Sequence, residues 1–212
     1  ATLQLMGYSL MSHAKHEKFV LLKGTGSNGK SKILGILEAL CGIENISGVQ
    51  PSKFDSPFQR AHMQYKLANL VTELKQGEII ADAELKAITS GEPATVEHKN
   101  KDPFVMRPYA TCWFGTNHLP HTRDFSEAFF RRAVVLDLNR EFKEHQKDTN
   151  LLDKLKAELS GILTLCLDAY AMALSFGFTD PPSSTLAKQE WRIETDQVRQ
   201  FVVDACLVGQ DY

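Results

Sequence analysis

Residues 24–31 constrain the fold of this chain more than any other stretch. They are Gly24, Thr25, Gly26, Ser27, Asn28, Gly29, Lys30 and Ser31, and they match the pattern G-x-x-x-x-G-K-[ST]. Glycines in this pattern let backbone N–H groups surround a polyphosphate, the lysine reaches its terminal phosphates, and the serine hydroxyl helps to hold Mg²⁺. We therefore expect this loop to bind ATP or another NTP, with Mg²⁺ as cofactor.

The residues on either side of the loop agree with this interpretation. Residues 18–22, a lysine followed by four apolar residues, predict a short buried strand before the loop. Apolar side chains then recur at helical spacing as far as Leu40, and Gly42 is suited to end that helix. A chance match in a glycine-rich turn is the alternative, but the order strand, loop, helix favours nucleotide binding.

Composition adds three constraints. A chain of 212 residues with 43% hydrophobic residues can form one α/β domain with a helical appendage. Its 24 basic and 26 acidic residues give a net charge of −2, so contacts with nucleic acid must come from local basic clusters. The four cysteines are far apart and form no C-x-x-C pair, which argues against a zinc site or a disulfide framework and indicates a reducing, intracellular setting.

The sequence gives no sign of a membrane partner. No apolar stretch looks long enough to cross a bilayer without interruption. The first residues, ATLQLMGYSLMSH, lack the basic flank and apolar core of a signal peptide. We therefore expect no contact with a membrane.

An acidic residue follows the next predicted strand. Residues 67–71 are apolar and branched enough for a buried parallel strand, and Glu73 comes just after its carboxyl end. Ligands of open α/β sheets bind at that edge, so Glu73 is expected to face the loop, where a carboxylate can hold Mg²⁺ and polarise a water molecule. Alternatively, Glu73 simply begins a solvated turn.

Two further strands contribute polar side chains. Asn117 follows the apolar run at residues 110–114, and an amide at a strand tip can hydrogen-bond a γ-phosphate or its attacking water. Asparagine is also an ordinary turn residue. Arg131 and Arg132 precede a branched strand, where they could be solvated or could stabilise phosphate charge in a transition state.

Several motifs in one order make the sequence recognisable. They are GYSLMSH, KGTGSNGKSK, KLANLVTEL, LKAITSGEPATVEHKNKDPF, WFGTNHLP, FFRRAVVLDL and LLDKLKAELSGILTLCLDAY. In this order the chain resembles the superfamily 3 helicases, an AAA+ branch, and within it the helicase domain of phage- and plasmid-type primase-helicases and their poxvirus relatives. The resemblance covers nearly the whole chain. It implies an α/β P-loop NTPase fold of AAA+ type, with a central, mainly parallel sheet flanked by helices and a C-terminal helical segment.

The resemblance also implies roles for individual residues. Residues 24–31 match Walker A, Glu73 the Walker B acid, Asn117 the sensor asparagine and Arg132 the arginine finger, with its neighbour Arg131 as the alternative. The catalytic set implied is therefore Lys30, Glu73, Asn117 and one of these arginines, and Ser31 and Glu73 would hold the metal. The chain departs from the family pattern at Thr72, where many relatives carry a second acidic or small residue, so phosphate oxygens and water could complete the metal shell.

The segment between Glu73 and Asn117 predicts a hairpin with a basic tip. Residues 95–96 and 104–105 are suited to form its two arms. The turn carries His98, Lys99 and Lys101, a composition that an ordinary solvated loop can also have. The resemblance implies that this is a DNA-gripping hairpin, in which the lysines contact phosphates and the histidine hydrogen-bonds or stacks.

The sequence divides into three parts. We expect a helical lead-in at residues 1–17, a P-loop core at residues 18–142 and a C-terminal helical segment at residues 143–212. The resemblance implies that the chain is a fragment of a larger protein. Apolar residues at helical spacing predict one helix from Leu151 to Leu174, and a further helix that runs almost to Tyr212.

The implied function is an ATP-driven DNA helicase motor. The resemblance implies a homo-oligomer, a hexameric ring in the full-length protein, that acts on single-stranded or forked DNA in the cytoplasm of a bacterial host and is encoded by a phage or mobile element. One alternative is an AAA+ module that opens or loads at an origin without processive unwinding. A P-loop small-molecule kinase is another, although the sequence shows no acceptor-binding signature.

Overall fold

The computed structural model describes residues 1–196 and Ala205. Its strands are β1 (Phe19–Lys23), β2 (Ile46–Ser47), β3 (Ala68–Val71), β4 (Ala94–Val96), β5 (Phe104–Met106), β6 (Thr111–Thr116) and β7 (Ala133–Asp137). Its α-helices are α1 (Thr2–Tyr8), α2 (Lys30–Cys41), α3 (Pro57–Ala61), α4 (Asp82–Ser90), α5 (Glu127–Phe130), α6 (Leu151–Ala157), α7 (Leu159–Phe176) and α8 (Pro182–Thr195). Short 3-10 helices span Ile43–Asn45, Pro51–Lys53 and Glu144–Gln146.

Five strands form a parallel sheet in the order β2-β3-β6-β1-β7. This confirms the predicted α/β fold with a central parallel sheet flanked by helices. Strand β6 lies between β1 and β3, with Lys23 beside Thr116 and Val71 beside Phe114. The carboxyl ends of these three strands therefore meet at one edge of the sheet.

Apolar layers cover both faces of the sheet. Alternate residues of β1 point to opposite faces, so Phe19 and Leu21 join a cluster with Trp191 of α8, and Val20 and Leu22 join another with α2. All four of these β1 side chains are fully buried. Burial of each such side chain stabilises the fold by roughly 1.5–3 kcal/mol. Because these strands are buried on both faces, their sequences are nearly continuous apolar runs.

The amino-terminal helix packs against the C-terminal segment. Helix α1 lies on α7 so closely that a Cβ on Gly7 would be 2.2 Å from the backbone oxygen of Cys166 and 2.8 Å from Cβ of Tyr170. Only glycine permits this approach. Residues 1–17 and 143–212 were predicted to be separate parts of the chain, and no pattern in the sequence predicts this contact.

The C-terminal helices differ from their predicted bounds. The helix expected from Leu151 to Leu174 is interrupted at Glu158, which separates α6 from α7. The further predicted helix, α8, begins at Pro182, because proline suits the first turn of a helix. The remainder of the helix predicted toward Tyr212 lies outside the described residues, apart from Ala205.

Helix α7 is long and apolar enough to cross a membrane by length and composition alone. Its 18 residues have a mean hydropathy of 1.6, and 17% of them are buried. The expectation that no stretch meets these two criteria was therefore wrong. Length and composition alone do not establish contact with a membrane, so the absence of a membrane partner stays a prediction.

Candidate active site

The loop between β1 and α2 forms an open cradle of backbone groups. Gly26, Ser27 and Gly29 have φ angles of 125°, 47° and 90°, which turn the chain through the left-handed region. A Cβ on either glycine would meet no atom within 4 Å, so the space beside them is open. Since α2 begins at Lys30, its first N–H groups have no partner within the helix and can bind an anion.

The other side of the loop is tightly packed. The Asn28 side chain is buried beneath it, and a Cβ on Gly24 would lie 1.9 Å from Asn28 Nδ2. This Nδ2 has no hydrogen-bond partner among the described residues. An open cradle on one side and a close-packed backbone on the other fit a polyphosphate, so the residues present suit the expected nucleotide.

Three predicted catalytic residues form one hydrogen-bonded chain. Lys30 Nζ donates to the backbone oxygen of Gly24 and, over 2.9 Å, to Asn117 Oδ1. Asn117 Nδ2 donates in turn to Glu73 Oε1 at 3.3 Å. Burial lowers the pKa of Lys30 from its ordinary value, and the negative charge of Glu73 opposes that shift. The structure thus brings together an ammonium, an amide and a carboxylate contributed by three separate segments.

These side chains line a cavity of about 310 Å³, together with residues 26–31 and Thr72. That volume lies at the lower end of the range for small-molecule sites. Ser31 and Glu73 lie on the same cavity. A hydroxyl and a carboxylate are ligands that Mg²⁺ accepts while it keeps several waters, so this pair fits the metal expected from the sequence.

Backbone packing explains why Glu73 comes close to Asn117. The N–H of Leu74 donates to the oxygen of Gly115 at 2.8 Å, which extends the pairing of β3 with β6. A Cβ on Gly115 would lie 2.2 Å from the oxygen of Thr72. Glycine at this position therefore lets the segment that carries Glu73 cross the end of β6.

The two predicted arginines lie at the opposite edge of the sheet. Arg131 and Arg132 precede β7, which runs parallel to β1 with Ala133 beside Phe19 and Asp137 beside Lys23. At about 3.3 Å per residue, Arg132 is roughly 20 Å from the loop of its own chain. Neither arginine can therefore reach a nucleotide held by that loop.

Burial distinguishes the two arginines. The Arg132 side chain is 10% exposed, pairs with Glu17 Oε2 at 2.9 Å and donates to Ser90 Oγ at 2.9 Å and to the Ala128 oxygen at 2.5 Å. The Arg131 side chain is 59% exposed and lies 3.1 Å from the same Glu17 oxygen. Arg131 is therefore the freer of the two to contact another molecule. No local signal in the sequence pointed to Glu17 as their common partner.

The predicted hairpin is present. Strands β4 and β5 pair antiparallel, with Thr95 beside Val105 and Val96 beside Phe104. Lys101 N–H donates to the His98 oxygen at 3.0 Å, which closes the turn, and Lys99 and Lys101 are exposed at its tip. The structure thus presents two positive charges on a hydrogen-bonded turn.

Two aromatic side chains that the sequence did not predict at this tip, Phe58 and His62, lie beside it. Phe58 of α3 is 46% exposed, and it lines a cavity of about 370 Å³ with His62, His98 and Lys99. The His98 ring also lies 5.3 Å from the Phe104 ring. No local pattern in the sequence indicates that α3 lies beside the hairpin, because this position depends on tertiary packing.

Comparison with family models places the chain in a family. A model described as a family of unknown function (DUF5906) matches residues 22–132, which contain the loop, Glu73, the hairpin, Asn117 and both arginines. The chain belongs to this family.

The relatives of this DUF5906 chain are longer proteins. It is 24% identical over 226 residues to a protein of Acanthamoeba polyphaga mimivirus provisionally named helicase L207/L206, an alignment that covers 95% of the chain and 24% of the relative. Two apo structures of the NrS-1 C-terminal region share its fold with TM-scores of 0.62 and 0.65, at 14% and 16% identity. They cover 97% and 92% of the chain, which spans 46% of theirs. The chain thus spans about a quarter of the mimivirus relative and about half of the NrS-1 region.

Proposed function

We propose that this chain is the ATP-hydrolysing motor of a DNA helicase of the superfamily 3, AAA+ type, within a replication protein of a phage or mobile element. The observation that carries the proposal is the convergence of Lys30, Asn117 and Glu73 on one cavity beside the phosphate-type loop. The name of the mimivirus relative and the fold shared with the NrS-1 region support the same class of protein.

The residues of the site suit the attack of water on a γ-phosphate. A bond forms between the water oxygen and the γ-phosphorus while the bond to the bridging oxygen breaks, which leaves ADP and phosphate. Glu73 accepts a hydrogen bond from the water and orients it, and Lys30 offsets the charge that develops on the phosphate oxygens. Asn117 holds both side chains in place through its two hydrogen bonds. Ser31 and Glu73 would hold Mg²⁺, which would supply further positive charge beside the phosphates.

The hairpin would couple this chemistry to DNA. Lys99 and Lys101 would contact phosphates without reading sequence, and His98 would add a hydrogen bond or a stacking contact. The exposure of both lysines at the tip of a two-stranded element supports this role. Movement of the hairpin with the nucleotide state would then pull single-stranded or forked DNA.

An arginine would complete the site of the neighbouring subunit in a ring. Since Arg131 and Arg132 lie far from the loop of their own chain, either can serve only a nucleotide bound by another copy. The resemblance favours Arg132, and the greater exposure of Arg131 supports the alternative. Hexameric assembly in the full-length protein and action in the bacterial cytoplasm belong to this proposal.

A strand-displacement assay tests the proposed function. The chain, at a concentration where light scattering shows assembly, should displace a labelled strand from a fork with ATP and Mg²⁺, and the Glu73→Gln variant should not. Displacement that does not need ATP would contradict the proposal. ATPase activity that DNA stimulates, without strand displacement, would indicate the origin-opening or loading module instead. ATPase activity that does not respond to DNA would indicate that the chain does not act on DNA.

A further inference from the structure

A second segment runs along the phosphate loop. The N–H of Leu138 donates to the oxygen of Lys23 at 2.8 Å, and the N–H of Phe142 donates to the oxygen of Ser27 at 2.9 Å. Residues 138–142 therefore continue from β7 beside the loop and are fixed to it by backbone hydrogen bonds. These bonds do not depend on the Phe142 side chain, so the ring can be changed without removing them.

The Phe142 ring offers a face to a planar group. Phe142 is half-buried, and the exposed Arg140 places its guanidinium carbon 4.7 Å from the ring centroid. A guanidinium is flat and stacks on aromatic rings much as a nucleobase does. Because Arg140 is exposed, it can give up this place to another planar group at little cost.

The position of this ring suits the base of a nucleotide. Glu73 and Asn117 follow β3 and β6, on one side of β1, whereas residues 138–142 follow β7 on the other side. A nucleotide with its phosphates in the loop and its terminal phosphate toward Glu73 needs another place for its base. The flank beside Ser27 provides an aromatic ring there.

We propose that Phe142 is the stacking platform for the base of the bound nucleotide. This inference rests on the proposed nucleotide-binding function of the loop. Stacking on a ring accepts any base, since every base has a π face. The site therefore takes nucleoside triphosphates as a class, and it discriminates weakly between ATP and GTP.

Two probes, ATP and inorganic tripolyphosphate, each with Mg²⁺, distinguish the contribution of the base to binding affinity from that of the phosphates. Phe142→Leu keeps an apolar side chain and the backbone bond to Ser27 but loses the stacking face. Its affinity for ATP should fall about tenfold or more, in line with the effect of removing one base-stacking ring. Its affinity for tripolyphosphate should stay that of the parent. Phe142→Tyr keeps the ring and should bind both probes normally, as should Phe125→Leu, which changes an exposed phenylalanine elsewhere.

The possible outcomes separate this inference from the function on which it rests. Unchanged ATP affinity in Phe142→Leu would overturn the inference. Equal losses for ATP and tripolyphosphate would also overturn it, because the ring would then support the loop rather than the base. Lys30→Ala should weaken both probes, and if it weakens neither, the assignment of the phosphate loop fails whatever Phe142 does.

Discussion

The Lys30 ammonium donates a hydrogen bond to the side-chain oxygen of Asn117 at 2.9 Å. This bond joins the first residue of α2 to the residue that follows β6. The nitrogen of the same amide donates to Glu73, so Asn117 orients a cation and an anion at once. We expect the three side chains to act as a unit, so that loss of one changes the positions of the others.

Asn117→Ala should lower the rate of ATP hydrolysis about 100-fold, the scale seen when one preorganised donor is removed from an active site. ATP affinity should change only a few-fold, because the loop itself is untouched. Steady-state turnover and equilibrium binding of ATP measure the two effects. His118→Ala, at the exposed neighbouring position, is the matched control. An unchanged turnover number in Asn117→Ala would show that the amide is only a turn residue.

Glu73→Gln should bind ATP like the parent but hydrolyse it slower by orders of magnitude. Glutamine keeps the shape and the hydrogen-bonding capacity of the side chain but lacks the charge that activates water. Binding of a fluorescent ATP analogue and single-turnover hydrolysis distinguish the two steps. Glu92→Gln removes an exposed carboxylate outside the cavity and should leave both steps unchanged. Joint loss of binding and turnover in Glu73→Gln would instead indicate a structural carboxylate.

The strands and the phosphate loop could be predicted because their signals are local. Strands β1, β3, β6 and β7 are buried on both faces, so each reads as a nearly continuous apolar run. The loop is defined by residue types at fixed spacing, and the hairpin by two short arms around a polar turn. The meeting of Glu73 and Asn117 also follows from a general rule, since both come directly after parallel strands.

The remaining features depend on residues that are distant in sequence. Glu17 pairs with Arg131 across 114 positions, and Gly7 packs on Cys166 of α7. Glu158 interrupts the helix, although apolar residues keep helical spacing on both sides of it. That spacing predicts one continuous helix. No local pattern encodes such contacts. The catalytic, metal-binding and DNA-binding roles of the named residues stay predictions.

Lys99→Ala combined with Lys101→Ala should weaken binding to single-stranded DNA and flatten its dependence on salt. Each lost phosphate contact should reduce the slope of log affinity against log salt concentration by roughly one unit. Fluorescence anisotropy at several salt concentrations measures the slope. Basal ATP hydrolysis should persist, because the tip lies outside the nucleotide cavity.

The matched control for the hairpin is Lys53→Ala combined with Lys156→Ala. It removes the same charge from two other exposed positions. A slope that is unchanged in the hairpin variant, or reduced equally in the control, would make the tip an ordinary solvated turn.

One arginine should act across a subunit boundary. In an assembled sample, the variant that lacks this arginine should bind ATP but hydrolyse it poorly, because stabilising charge is missing from the neighbouring site. Mixed with Lys30→Ala, it should regain part of the activity, since some interfaces then pair an intact loop with an intact arginine. Arg131→Ala and Arg132→Ala are each mixed in this way, and recovery identifies the residue. If neither mixture recovers activity, no arginine of this pair acts in trans.

Stability measurements control for the burial of Arg132. Removing Arg132 takes away the donor to Ser90 Oγ and to the Ala128 oxygen and leaves Glu17 paired with the exposed Arg131 alone, so it should lower the free energy of unfolding by about 2–3 kcal/mol. Removing the exposed Arg131 should cost less than about 1 kcal/mol. Denaturant titration of both variants gives these values. The subunit-mixing experiment is interpreted only for a variant that the titration shows to be folded.

ATP hydrolysis by Lys30→Ala, with and without single-stranded DNA, tests most directly whether the loop is the catalytic nucleotide site. The parent and Lys53→Ala are measured beside it. Lys30 lines the cavity and supports no apolar core, so the variant should fold normally. We predict that DNA stimulates hydrolysis by the parent and by Lys53→Ala, and that Lys30→Ala has only background hydrolysis in either condition. Hydrolysis by Lys30→Ala at the parent rate would contradict the assignment of this loop as the catalytic nucleotide site.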